Sequence, residues 1–182
     1  MNMIELGAAL FALLITPGPT NALLAVAGAQ KHHQPLGLLA AVLFAYLATV
    51  VPLSLFGAAL IGQIPLLHQA LSGVAAAWIA FLALGLWRRE SGPLATAVTP
   101  AQLAVTTLLN PKALVFGLVL LPGSPSILAS FAVFGGAVLT VSALWLALGA
   151  RLSASAKPLV NKLGAVWLAA LSLLLIGRAL AF

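Results

Sequence analysis

Residues 38–62, LLAAVLFAYLATVVPLSLFGAALIG, carry no charge and are apolar on every side of a helix, and this stretch decides what the chain can become. A helix at a protein–water boundary needs a polar side; one without it is buried in protein or in lipid. A hydrocarbon layer about 30 Å thick takes roughly 20 residues of helix per crossing, and the stretch is long enough. Similar blocks recur at 4–29, 36–61, 66–87, 101–121, 126–150 and 159–180. With 63% hydrophobic and only 5% charged residues, nothing is left to coat a soluble globule. The expectation is an all-α integral membrane protein with six transmembrane helices in a single transmembrane domain over residues 1–182. Barrel strands would alternate in short segments, and these blocks do not.

The links between blocks are short, so neighbouring spans pack antiparallel. Lys31, then Arg88 and Arg89, then Arg151, Lys157 and Lys162 fall in the first, third and fifth links, whereas the second and fourth carry no Lys or Arg. The positive-inside rule places the odd links in the cytoplasm and both termini outside. It also accounts for the net charge of +6 without nucleic acid. Trp87, Trp145 and Trp167 lie near basic links, as interfacial tryptophans do. AVAGAQ at 25–30 offers small residues suited to signal cleavage, but no Lys or Arg precedes the apolar run and Pro17 and Pro19 interrupt it. It reads as the first helix. Zero cysteines exclude a disulfide frame and any thiol nucleophile.

Two places break the apolar pattern. Residues 14–24, LITPGPTNALL, put two prolines and a glycine inside the first span, and LNPKAL at 109–114 interrupts the fourth. Each break has roughly ten residues of span on either side, which at 1.5 Å per residue sets both near mid-membrane. The first span runs inward and the fourth outward, so the two halves, about 1–90 and 98–182, form two inverted three-helix repeats. Gly73, Trp78 and Arg88 are echoed weakly by Gly164, Trp167 and Arg178. Broken backbone is tolerated in lipid only beside protein or a wet cavity, so the breaks predict a binding site.

Asn110 suits a helix N-cap and Pro111 a first helical position; Thr16, Pro17, Gly18 and Pro19 can restart the first span in the same way. The restarted halves then present positive N-termini and the preceding halves present carbonyls, a pair suited to a zwitterionic amino acid. Lys112 adds a fixed positive charge for the carboxylate, next to the half-helix start at Pro19, Thr20 and Asn21. Tyr46, mid-span in the second helix, needs a partner for its hydroxyl, either in a cavity or between helices.

At these residues the chain resembles a known family. TPGPTNALL in the first span and LNPKALVFGLVLLP in the fourth are similar to the paired motifs of LysE/RhtB-type amino-acid exporters, and the likeness covers nearly the whole chain. The resemblance implies secondary-active efflux of an amino acid or related small solute across a bacterial inner membrane, driven by an ion gradient. Many such exporters place acidic residues near the path, whereas this chain has only Glu5 and Glu90. A basic substrate would lack a counter-charge, which favours a small neutral amino acid. Glu5 and Lys112 are the coupling candidates, with H+ the expected ion. Further expected partners are membrane lipid and a second copy in a homodimer; no cofactor and no resident metal are expected.

The remaining residues are quieter. His32 and His33 suit a solvated turn, and His68 an outer link. Gly135 with Gly136, Gly73 with Ala77, Gly57 and Gly62 suit close helix packing. A membrane enzyme would want clustered acids, histidines or metal ligands, and no cluster is present. A structural subunit leaves the two breaks unexplained. A metal-ion exporter would want acids or histidines inside the membrane.

Overall fold

The computed structural model describes residues 2–31, 34–61, 97–122 and 126–151, with helical residues scattered over 77–87 and 162–173. The third and sixth expected spans fall largely outside the described residues, as do His32, His33, His68, Gly73, Arg88, Glu90, Lys157, Gly164 and Arg178. Among the described residues all regular structure is helical: α1 (Met3–Ile15), α2 (Pro19–Ala29), α3 (Pro35–Ile61), α4 (Pro100–Leu108), α5 (Lys112–Val115), a π-helical segment (Phe116–Leu120) and α6 (Ile127–Ala150).

Local chemistry accounts for the ends. Asn2 caps α1 in a capping box: Asn2 Oδ1 accepts from the Glu5 N–H at 2.8 Å and Glu5 Oε2 accepts from the Asn2 N–H at 3.0 Å. α1 stops because the residue before a proline is pushed out of the helical region. Thr16, before Pro17, sits at φ −58°, ψ 137°, and Gly18, before Pro19, at φ −163°, ψ 175°. Two such steps in succession turn the chain by 64° before Pro19 restarts it as α2. Thr99 and Gln102 form a second capping box that opens α4, and Pro111 repeats the interruption, so α4 meets the following helix at 53°.

Among the described residues two helices, α3 and α6, are long and apolar enough to cross a membrane, and up to four spans result if each bent pair counts as one. The exterior is as apolar as the core. Leu6, Leu24, Phe116 and Phe134 are buried, with Thr20, Asn21, Thr106, Thr107, Asn110, Ser130 and Ser142 among them, and yet Phe44 is 69%, Phe56 61% and Leu128 78% exposed. Large apolar side chains on the outside suit lipid as the surrounding solvent.

The tightest packing is the crossing of α2 and α6. A Cβ on Gly28 would overlap the Leu146 carbonyl oxygen, and one on Gly149 would overlap the Ala25 carbonyl oxygen, so the two backbones touch through reciprocal glycines. Gly117 in the π segment meets Leu53 and the Val50 carbonyl of α3, and Gly57 meets Leu118. The expectation for Gly135 and Gly136 needs correcting: an added Cβ at Gly135 would make ordinary contact with Leu43 at 3.6 Å, and Gly136 has nothing within 4 Å. Both glycines sit on α6 away from its close crossing, on faces with room for a side chain.

Candidate functional site: two helix breaks joined by their polar groups

The two breaks lie against each other although some 90 positions separate them in sequence. Two hydrogen-bond clusters join them. The first is buried. Asn110 Nδ2 donates to Thr20 Oγ1 at 3.1 Å and to Tyr46 OH at 3.0 Å, and the Thr20 and Thr107 hydroxyls share a bond at 3.2 Å. Asn110 Oδ1 accepts from the Lys112 N–H at 3.0 Å, the bond of a helix N-cap, with Pro111 already helical at φ −61°, ψ −20°. One amide therefore restarts its own helix and ties it to α2 and α3. The Tyr46 ring stands edge-on to Phe116 and Phe134, with centroids at 6.0 and 5.8 Å, and this aromatic wall holds its hydroxyl in place.

The second cluster closes the carbonyl end of α1. The last carbonyls of any helix lack intrahelical donors. Here Asn21 Nδ2 donates to Leu14 O at 2.7 Å and Thr16 O at 3.0 Å, and Thr16 Oγ1 donates to Leu13 O at 2.7 Å. Lys112 Nζ, arriving from the second break, donates to Leu13 O at 2.9 Å and Thr16 O at 2.5 Å. Gly18 makes room for it: a Cβ there would stand 3.3 Å from Lys112 Cε and Nζ. An ammonium at the negative end of a helix is favourable, more so in apolar surroundings. The clusters adjoin along the chain, through Thr20–Asn21 on one side and Asn110–Lys112 on the other.

The expected site residues thus divide by role. Thr20, Tyr46 and Asn110 share the buried cluster; Thr16, Gly18, Asn21 and Lys112 share the carbonyl cluster; Pro17, Pro19 and Pro111 shape the breaks. Thr16 and Pro17 are exposed, so the carbonyl cluster is reachable from outside the protein. Thr107, Phe116 and Phe134 belong to the site although the sequence did not single them out; paired threonines just before LNP were the available signal for the first. Trp78 Nε1 donates to Thr106 Oγ1 at 3.0 Å, which gives that tryptophan an interhelical bond.

Glu5 stands apart from both clusters, exposed, with its carboxylate accepting from the backbone and side chain of Asn2. Glutamine can fill the same place in a capping box. Glu5→Gln is therefore expected to shift stability by less than about 1 kcal/mol and to leave solute exchange intact. Loss of gradient-driven flux with exchange preserved would instead make Glu5 the coupling group. No family model, no curated protein and no solved structure matches the chain.

Proposed function

We propose that the protein is a secondary-active exporter of a small neutral amino acid or a related small solute, of the LysE/RhtB type, in a bacterial inner membrane. In this reading six spans form two inverted three-helix repeats, both termini lie outside, and the solute binds between the two breaks near the middle of the membrane. Protons drive it, by alternating access.

The observation that carries the reading is the meeting of the breaks. Four separate segments contribute two amides, four hydroxyls, an ammonium and helix-end carbonyls to one place inside an otherwise apolar helical body. Such groups are costly in lipid unless they serve a cavity or one another. A purely structural subunit has no need to interrupt two spans and then repair both with long-range polar bonds.

Counterflow in proteoliposomes tests the reading directly. Vesicles loaded with alanine, serine or threonine should accumulate the labelled amino acid above empty-liposome controls, and lysine or arginine should not compete. No exchange by any member of an amino-acid panel would sink it. The topology is tested separately, because a chain with no native cysteine allows clean single-site labelling. Cysteines placed at 33 and 157 should react from the cytoplasmic side; labelling only from the periplasm would reverse the orientation.

A further inference from the structure

The carbonyl end of α1 is not open. Leu13 O and Thr16 O each accept from the Lys112 ammonium, and the neighbouring Leu14 O is satisfied by Asn21. Among these donors the ammonium is the only full charge, and it is brought from a residue 96 to 99 positions away. It is the same chemical group that an amino acid would offer to those carbonyls. Resting on the exporter reading above, we propose that Lys112 is a tethered occupant of the substrate's ammonium site. A zwitterion binds by insertion: its ammonium takes the Leu13 and Thr16 carbonyls, and its carboxylate pairs with the displaced Lys112.

Charge counting shows why this selects zwitterions. A simple amine that displaced Lys112 would leave two cations close together in apolar surroundings with no anion between them. A simple carboxylate could draw Lys112 away only by stripping the one charged donor from Leu13 O and Thr16 O, which would keep only the neutral Thr16 hydroxyl and Asn21 amide. A zwitterion leaves the net charge unchanged and every group partnered. The geometry permits the exchange, since Thr16 and Pro17 are exposed and Gly18 leaves the lysine tip free of a Cβ. Insertion also has a mechanical consequence. The direct bonds from Lys112 to the α1 carbonyls are replaced by ones running through the ligand, whereas the Asn110–Thr20 and Thr20–Thr107 bonds still hold α2 to the second break, so the lysine side chain and the end of α1 must give way by the ligand's width.

The test uses the full chain in lipid nanodiscs and three matched pairs as chloride salts: alanine with ethylamine, serine with ethanolamine, and threonine with 1-aminopropan-2-ol. In the wild type each amine should bind at least tenfold more weakly than its amino acid. Lys112→Met removes the charged donor from the carbonyls, leaving only the neutral Thr16 and Asn21 donors, so the amino acids should weaken at least tenfold while the amines tighten at least tenfold. Lys112→Gln, whose amide can still donate to one carbonyl, should shift in the same directions by less and protects the test against a misfolded methionine variant. Equal binding of amine and amino acid by the wild type overturns insertion. So does loss of the amino acids in both variants with no gain in amine affinity, although the exporter reading with Lys112 as a carboxylate partner then stands. Absence of binding of all three amino acids to the wild type, together with absence of counterflow, removes the exporter reading and insertion with it.

Discussion

Gly149→Ala is expected to abolish the folded protein, seen as loss of the monodisperse peak in detergent size-exclusion chromatography. The added methyl would stand 2.7 and 2.9 Å from Ala25 C and Cα, in addition to overlapping the Ala25 carbonyl oxygen. All three are backbone atoms, so no side-chain rotation relieves the overlap; the helices must part. Parting them loosens α2 and α6, which carry the buried Leu24, Ala27, Val138 and Val141. Overpacking a core typically costs about 1–3 kcal/mol, and the rigid backbone puts this site at or above the upper end. Gly28→Ala should behave alike, because its methyl would meet Leu146 and Ala150 backbone atoms. Gly136→Ala supplies the contrast: with nothing within 4 Å, it should be neutral or gain helix propensity. Similar behaviour of Gly149→Ala and Gly136→Ala would disprove the crossing.

Asn110→Ala is expected to lower stability by about 2–4 kcal/mol, measured as the thermal midpoint in nanodiscs. The sum combines a helix cap, worth about 1 kcal/mol, with two lost bonds to Thr20 and Tyr46 at about 0.5–1.5 kcal/mol each. Because the Tyr46 hydroxyl then loses the Asn110 amide and keeps only the Thr20 side chain as a partner, Tyr46→Phe in that background should cost less than it does in the wild type. The double-mutant cycle should show a coupling on the order of 1 kcal/mol. Strict additivity would mean that Asn110 and Tyr46 act independently, against the 3.0 Å bond between them.

Local rules made the breaks legible in the sequence. Thr16 and Gly18 leave the helix because each precedes a proline, and Asn110 caps because its amide precedes Pro111; both effects act within a few residues. The Asn2–Glu5 capping box is equally local, yet it was missed in the sequence, where Glu5 was singled out only as a coupling candidate. Lys112 was different. Its position in the break could be counted, but the direction of its side chain depends on where α1 lies, a matter of tertiary packing across 99 positions. Glycines failed for the same reason. Gly135 and Gly136 look like a packing pair on paper, whereas the close crossing uses Gly28 and Gly149, which lie far apart in sequence and meet only in the fold. The π segment after Val115 carries no local mark, since π turns are rare and follow no residue propensity that a sequence displays.

The Lys112 bonds to Leu13 and Thr16 also set an order of events during synthesis. The α1 carbonyls are made first, and the ammonium that closes them follows 96 to 99 residues later. At roughly 5–20 residues per second, this interval is on the order of ten seconds. Throughout it, the first half of the chain holds a broken helix whose terminal carbonyls lack their final donor. Until the second half arrives, only the neutral Thr16 hydroxyl and Asn21 amide serve these carbonyls. The two halves are therefore unequal in biogenesis: the earlier one waits incomplete, and the later one enters the membrane with its docking site already waiting.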